Sequence, residues 1–495
     1  MLFRPVGAGD RYALTLHLAP IDYIVVVLFV ASILALGFSA KLRDNSLLAY
    51  LVAGRNLSLP AFVATLVSTW YGGILAVGDS VKAYGVGTIL LIGVPYYVFA
   101  LIYALYFAKR VRDADQISIP ERLELRYGRG AALVGAGFIF MLAVPSAHVL
   151  MLGTMVQLFT GWELRTSIVV ATVVGTLFLY KGGLLADVRA GLLAFLMMYL
   201  GFFIVVGWCL FHYPPGPILA KVPPALLRFD GGQSLPAILS FFILGAWTLV
   251  DPGFHQRVAS AANPKLSQTG VYVSIGFWAL CDLLTTTAGI YALVMLAPDA
   301  GGLTYFPQLG DRVLPPGLKA LFLCGLTGTV LSAMVGYTLV SGATFGREIL
   351  ARMRPGMDDD QVKLWTRVGF AVACATSISI LFWMLGLGKV NVVVDLWYDY
   401  GGLLVGALLL PVTLAFLPEQ RFRPSPRWVV ASMSLAFLAS FCWMIRGKTT
   451  NNDYLNVNLA GQTFSLGTLA PGLFVSAMVL CLGEVVNRRT MKNDR

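Results

Sequence analysis

Apolar runs of about 20 residues recur along the whole chain, and each is long enough to cross the hydrocarbon core of a bilayer. Such runs leave few folds open, because only helices and closed barrels satisfy their backbone hydrogen bonds in lipid. Of the 495 residues, 58% are hydrophobic and 12% are charged, about half the charged fraction of a soluble protein. The sequence therefore predicts an all-α, polytopic membrane protein.

Thirteen apolar segments are predicted to be transmembrane helices. Their bounds are 20–41, 58–82, 86–108, 130–160, 164–181, 187–213, 234–256, 268–297, 315–350, 361–387, 390–417, 427–446 and 464–486. An odd number of spans places the two termini on opposite sides of the membrane. With the C-terminus in the cytoplasm, 25 of the 36 Lys and Arg residues fall on cytoplasmic positions, as the positive-inside rule requires. We therefore expect an integral plasma-membrane protein with its N-terminus outside.

The net charge of +11 follows from this asymmetry, so we expect the lipid bilayer as a partner and no nucleic acid. The six cysteines lie singly inside apolar segments, without metal or redox spacing, and are interpreted as buried, inert thiols. No set of nucleophile, base and acid stands out in the sequence. The protein is therefore not expected to be an enzyme.

The segment LPAFVATLVSTWYGGILAVG is apolar but carries Ser68, Thr69 and the pair Gly72-Gly73 near its middle. Glycine is a poor helix former, and two in a row mark a place where a helix can open. An opened helix persists in hydrocarbon where its free backbone groups bind a ligand or line a cavity. The alternative interpretation is that these small residues only allow neighbouring helices to pack closely. Both interpretations stay open at this point.

Two later segments have comparable features. LPAILSFFILGAWTLVDPGFHQRVASAANPK combines Gly245 and Trp247 with a DPG sequence, and LPPGLKALFLCGLTGTVLSAMVGYTLVSGATFGREIL carries Thr329 and Ser332 near mid-depth. Interrupted helices in corresponding positions of two halves are the best sequence indication of a transporter site. The chain divides accordingly into four predicted parts: an N-terminal extra helix with an inner loop, two five-helix repeats, and two C-terminal helices with a basic tail. Their bounds are 1–57, 58–213, 234–417 and 427–495.

Three stretches together resemble the sodium:solute symporter family over about residues 20 to 420. The family's opening signature of A-G-R, then A-T-W-I-S-A, then G and Y-x-x-G, is similar to YLVAGRNLSLPAFVATLVSTWYGGILAVGDSVKAYGVG. Its Y-G-G-L-x-A-V-x-x-T-D-x-x-Q stretch is similar to YKGGLLADVRAGLLA, and its N-Q-x-x-x-Q-R-x-x-A-A-K stretch to DPGFHQRVASAANPK. The resemblance implies a LeuT-like inverted repeat of five plus five helices with extra helices at both ends. It also implies a sodium-coupled symporter that imports a small polar organic solute by alternating access.

The resemblance implies one Na+ ion, as the coupling ion, between the first and eighth core helices. Its ligands are the carbonyls of Ser68, Tyr71 and Thr329 and the hydroxyl of Ser332. The family's second hydroxyl falls on Ala333, which removes one hard oxygen ligand. The Thr329 hydroxyl or a water molecule is the candidate replacement.

A second departure concerns the carboxylate that the family places near the sodium exit path. Its position falls on Gly191, whereas Asp187 lies four residues earlier and is a candidate substitute, as an ion or proton relay. Asp395 and Asp399 are also four residues apart, on one helix face. They either share a proton or mark a helix start near the membrane interface, where acidic groups are favoured. Asp282 and His148 lie within spans without an assigned role.

The solute site implied by the resemblance lies on the two interrupted core helices. Its candidate residues are Trp70, Gly72, Gly73, Asp79, Leu244, Trp247, Thr248 and Asp251. For Trp70 and Trp247, plain buried packing is the alternative interpretation. The identity of the solute is not predicted, although intramembrane acids suit a cationic or zwitterionic one.

Two other functions stay open. Ala333 and Gly191 are compatible with a proton-coupled or uncoupled carrier of the same fold. A sensory membrane module partnered with a kinase is the second alternative. A homo-oligomer also stays open.

Overall fold

A computed structural model describes residues 16–42, 44–389, 392–417, 424–450, 456–459 and 461–493. Within these ranges, eleven helices are long and apolar enough to cross a membrane, and a helix pair bent by 43° forms a twelfth candidate span. A shorter apolar helix, Leu164–Thr176, corresponds to the remaining predicted segment. The predicted all-α, polytopic fold is therefore confirmed.

We number these thirteen helices in chain order. They are α1 (Pro20–Phe38), α2 (Leu59–Tyr84), α3 (Ile89–Asp113), α4 (Arg129–Thr160), α5 (Leu164–Thr176), α6 (Leu179–His212), α7 (Leu235–Leu249 and Pro252–Ser260), α8 (Pro264–Met295), α9 (Leu318–Met353), α10 (Asp359–Gly386), α11 (Asp395–Ala415), α12 (Pro426–Thr449) and α13 (Leu469–Asn493). Short helices lie in the connections at Leu47–Val52, Ile119–Tyr127, Pro215–Leu219, Pro224–Leu227 and Tyr305–Val313. An antiparallel hairpin of β1 (Asn456–Leu459) and β2 (Gln462–Ser465) precedes α13.

Polar caps fix where several helices begin. The side chains of Ser234, Asn263 and Asp358 each accept a hydrogen bond from the backbone N–H three residues on. Proline follows Ser234 and Asn263 in the first helical turn, where its missing N–H has no consequence. These caps satisfy backbone N–H groups of the first turn, which have no partner within the helix, in α7, α8 and α10.

The boundary between α5 and α6 lies close to the prediction. The sequence placed a connection at residues 182–186, and the helical stretch Leu179–His212 is interrupted by a kink at Gly183. The φ of +51° and ψ of −136° at Gly183 are non-helical, and glycine adopts such a conformation without strain. A side chain at Gly183 would also meet the backbone of Tyr50.

The helices differ strongly in burial. In the most apolar stretch of each span, the share of buried residues is 72% in α2, 83% in α9 and 72% in α11, but only 22% in α1. Large apolar side chains such as Val27, Phe211 and Phe474 are exposed on the periphery, where lipid solvates them. The centre of the bundle is therefore built from α2, α9 and α11.

Both predicted interruptions are present, but they differ in degree. In α2, a single 3-10 turn at Tyr71–Gly73 joins two α-helical parts, and the carbonyl of Tyr71 accepts the N–H of Ile74. This turn tightens the helix instead of opening it, and its hydrogen bonds satisfy groups that lipid would leave unpaired. In α7, a 3-10 turn at Gly245–Leu249 is followed by the 43° break before Pro252.

Candidate ion and solute site

Two serine hydroxyls meet where α2 crosses α9. Ser68 Oγ lies 3.0 Å from Ser332 Oγ, and both side chains are buried. Gly191 of α6 faces this pair, because a Cβ at that position would lie 3.2 Å from Ser332 Oγ and 3.6 Å from Ser68 Oγ. Thr65 Oγ1 lies 3.8 Å from the same point and has no hydrogen-bond partner among the described residues. Three hydroxyls from α2 and α9 thus converge on Gly191 of α6.

The other predicted sodium ligands lie close by on the same two helices. Tyr71 and Thr329 each lie three residues from one of the two serines, and both are buried. The Thr329 hydroxyl donates to the carbonyl of Gly325 at 2.8 Å. This bond occupies the proton of the hydroxyl but leaves a lone pair on its oxygen.

Aromatic rings cover the two glycines of the 3-10 turn in α2. A Cβ at Gly72 would lie 3.1 Å from the imidazole of His148 in α4, and a Cβ at Gly73 would lie 2.5 Å from the indole of Trp397 in α11. The His148 ring stacks on Tyr337 with a centroid distance of 5.2 Å and lies 5.9 Å from Trp397. No sequence pattern groups these three rings, and the one signal is the position of His148 inside a span.

Asp251 connects the break in α7 to this aromatic group. One carboxylate oxygen caps the second half of α7, accepting the N–H of Phe254 at 2.7 Å, and the other accepts the Tyr337 hydroxyl at 2.8 Å. Trp247 packs on Gly401 of α11. Thr248 is buried, and its hydroxyl has no hydrogen-bond partner within the described ranges.

The remaining predicted solute residues lie in other surroundings. The Trp70 ring packs against Tyr96, Phe254 and Trp278 with centroid distances of 5.3–5.8 Å. Leu244 is half-buried at the end of the first part of α7. Asp79 accepts a hydrogen bond from the backbone of Gly302, in the connection after α8. The structure therefore groups Gly72, Gly73 and Asp251, but not Trp70 or Asp79, around His148 and Trp397.

A buried ion pair lies beside α2. Arg257 of α7 is fully buried, and its guanidinium is 2.8 Å from a carboxylate oxygen of Asp187 in α6 and 2.9 Å from the hydroxyl of Thr69. Arg257 is not among the predicted site residues, and its signal in the sequence is a basic residue next to an apolar segment in DPGFHQR. Asp187 is thus engaged by Arg257, whereas Gly191 occupies the position beside Ser68 and Ser332.

The pair Asp395 and Asp399 faces a lysine. Lys448 of α12 lies 3.4 Å from Asp395 and 2.5 Å from Asp399. Three helical residues, Val392–Val394, directly precede Asp395, and both carboxylates lie in a π-helical stretch, Asp395–Gly401, at the start of the apolar span. Lys448 thus contacts both carboxylates from α12.

A helical membrane protein with interruptions in corresponding positions of two halves, and with buried hydroxyls beside one of them, has the architecture of a secondary transporter. The sodium ligands suggested by the sequence motifs lie on α2 and α9 of this bundle. The chain belongs to the sodium:solute symporter family, whose family model matches residues 50–417.

Named relatives and solved structures are similar over most of the chain. Sodium/glucose cotransporter 4 of Danio rerio is 22% identical over 447 residues, covering 80% of this chain and 67% of the relative. High affinity choline transporter 1 of Homo sapiens is 22% identical over 423 residues, covering 76% and 69%. The outward-open, substrate-bound structure of a Na+-coupled sialic acid symporter superposes with a TM-score of 0.78 at 13% identity, covering 94% of this chain and 97% of that one. This likeness establishes the LeuT-like fold.

Proposed function

We propose that this protein is a sodium-coupled secondary active transporter that imports a small polar organic solute by alternating access. Na+ is the coupling ion of the family to which the chain belongs. The observation that carries the proposal is the buried pair of Ser68 and Ser332 hydroxyls beside the 3-10 turn of α2. A transporter that couples an ion to a solute needs both sites on elements that move together, and α2 contacts both.

The side chains present fit a sodium ion. Na+ takes hard oxygen ligands, which the carbonyls of Ser68, Tyr71 and Thr329 and the hydroxyl of Ser332 would supply. The Ser68 hydroxyl, 3.0 Å from that of Ser332, adds a further oxygen. The Thr65 hydroxyl supports this assignment, because an unpaired buried hydroxyl is unfavourable and an ion would satisfy it. We add Thr65 to the proposed ligands as the replacement for the hydroxyl missing at Ala333.

We further propose a solute that carries a positive charge, as a cation or a zwitterion. The stacked rings of His148 and Tyr337 and the indole of Trp397 offer faces that attract a cation. Asp251 supplies a carboxylate beside them. Two relatives, from Homo sapiens and Caenorhabditis elegans, are named for choline, a quaternary ammonium compound, which supports this solute class. Trp247 and Thr248 are proposed to contact the solute from α7.

One alternative has specific support. Gly191 provides no carboxylate beside Ser68 and Ser332, which favours weak ion retention and thus a proton-coupled or uncoupled carrier. A kinase-partnered sensory module and a homo-oligomer stay predictions. The repeats at 58–213 and 234–417, the plasma-membrane location and the external N-terminus also belong to the proposal.

Reconstituted protein is expected to accumulate solute only when sodium is supplied from outside. Proteoliposomes would be tested with radiolabelled choline, betaine and basic amino acids, under an inward sodium gradient and under an equal potassium gradient. Because Na+ release inside drives the return step, uptake above equilibrium should require the sodium gradient. Equal accumulation in both gradients would support the uncoupled carrier and contradict sodium coupling.

Substitution of Ser332 by alanine is expected to reduce stabilisation by sodium. A ligand that binds only the folded state adds about 2.7 kcal/mol at a hundredfold excess over its Kd. The wild type should therefore melt at a higher temperature in NaCl than in KCl, and this difference should be clearly smaller in Ser332→Ala. Ser341→Ala is the matched control, because Ser341 is a buried serine of the same helix away from Ser68. A sodium shift of undiminished size in Ser332→Ala would move the ion away from Ser332.

A further inference from the structure

Asp282 lies deep within the span formed by α8. The residue is 18 positions after Pro264 and 13 positions before Met295, or about 27 Å and 20 Å from the helix ends at 1.5 Å per residue. An ionised carboxylate at this depth is costly and is found where it has a function. Neither the sodium site nor the solute site described above uses it.

Two tyrosines from different helices donate to this carboxylate. The hydroxyl of Tyr71 in α2 donates to one oxygen of Asp282, and the hydroxyl of Tyr97 in α3 donates to the other. Thr285 Oγ1, one turn along α8, lies 3.2 Å from the Tyr71 hydroxyl. These contacts hold the carboxylate between α2, α3 and α8.

Two other intramembrane carboxylates are paired with a cation, whereas Asp282 forms no ion pair with any described residue. Asp187 is paired with Arg257, and Asp399 with Lys448. Asp251 caps the N-terminal end of a helix, where the helix dipole favours an anion. Asp282 is in the middle of α8 and has no such end nearby. Its single negative charge therefore calls for a single positive charge from outside the protein.

The groups around Asp282 are of the chemical type that binds an alkali ion. The carboxylate, the two phenol oxygens and the Thr285 hydroxyl form a set of hard oxygen donors from three helices. Gly93 of α3 faces this set, and a Cβ there would meet the carboxylate and lie 2.9 Å from the Tyr97 hydroxyl. Glycine at this position lets the α3 backbone approach the carboxylate closely.

We propose that Asp282, Tyr71, Tyr97 and Thr285 form a second sodium site, distinct from the site at Ser68 and Ser332. One carboxylate with neutral oxygen donors balances a monovalent ion, whereas a divalent ion would leave a net charge in the membrane. Tyr71 belongs to both sites, because its carbonyl is a proposed ligand of the first and its hydroxyl lies at the second. The two ions would thus be coupled through the 3-10 turn of α2. The inference rests on the proposed function only in taking Na+ as the ion.

Equilibrium binding of radioactive sodium to the purified full-length protein tests this directly. We expect two ions per wild-type molecule, one in Asp282→Asn, one in Ser332→Ala, and none in the double variant. The sodium dependence of uptake should correspondingly lose its cooperativity in Asp282→Asn. Asp230→Asn is the matched control, because it makes the same change in the connection before α7.

Three results would overturn the second site. The first is one ion per wild-type molecule, and the second is two ions in Asp282→Asn. The third is an altered pH profile of uptake in Asp282→Asn with an unchanged ion count, which would make Asp282 a proton site. If Asp282→Asn does not fold, Tyr97→Phe keeps the carboxylate and removes one ligand. It should weaken the second site about tenfold, and unchanged sodium affinity would overturn the proposal. Failure of the proposed function is distinguishable, because it appears as sodium-independent uptake.

Discussion

Replacing Arg257 with methionine is expected to lower the free energy of unfolding by about 3–5 kcal/mol, because Asp187 is left buried and unpaired. Both side chains are at most 1% exposed, so water cannot compensate the carboxylate. Uptake should be lost as well, since Arg257 also holds Thr69, next to Ser68 on α2. Unfolding of the purified protein in mixed micelles, followed by tryptophan fluorescence, measures the change.

The double variant Arg257→Met/Asp187→Leu separates an unpaired charge from lost packing. Removing both charges should recover most of the stability, because a buried pair contributes little net free energy relative to apolar groups of similar size. Uptake should stay low, since the hydrogen bond to Thr69 is not restored. Arg228→Met is the control. Its pair with Asp230 is exposed, and its removal should leave stability unchanged. A single variant as stable as the wild type would contradict the pairing.

Substitution of Gly72 by alanine is expected to impair both stability and transport. The added methyl group would meet the Cβ of Ala333 and lie 3.1 Å from the His148 ring. Overpacking of this kind costs about 1–3 kcal/mol. The displacement acts between the proposed ion and solute sites, so sodium affinity should fall about tenfold, the factor that 1.4 kcal/mol corresponds to. Sodium titration of uptake measures this change.

A size swap across the same contact is the strongest test of the Gly72 prediction. Gly72→Ala/Ala333→Gly moves the methyl group from α9 to α2 and should restore part of the sodium affinity. Gly207→Ala is the control on α6, because no described atom lies within 4 Å of its added Cβ. There the helix should gain about 0.5–1 kcal/mol from the better helix former. Equal losses in Gly72→Ala and in the swap would show that the contact with Ala333 is irrelevant.

These predictions share one structural basis in the 3-10 turn of α2. Its backbone lies beside the hydroxyl pair, its glycines face the aromatic group, and the Tyr71 side chain reaches Asp282. A small rotation of this turn would therefore alter several proposed contacts together. Coupling between ion and solute requires such a shared element, since a ligand shifts an equilibrium only through differential contacts.

The amino-acid sequence by itself determined the class, the spans and the two interruptions. Membrane helices are recognised by length and hydropathy, and the Gly72-Gly73 pair and the DPG sequence each coincide with an interruption. The motifs also placed Ser68 and Ser332 on helices that the structure brings together at 3.0 Å. Each of these properties depends on neighbours in the chain or on motif identity.

Only the tertiary structure decided which charges are paired and which are not. Arg257 meets Asp187 across 70 residues, and Tyr71 meets Asp282 across 211. Local patterns do not encode such contacts, because they depend on how each helix is rotated and where it crosses its neighbours. On α6, Asp187 points toward Arg257, and Gly191 faces the two serines. These positions are one helical turn apart, and hydropathy does not distinguish between them.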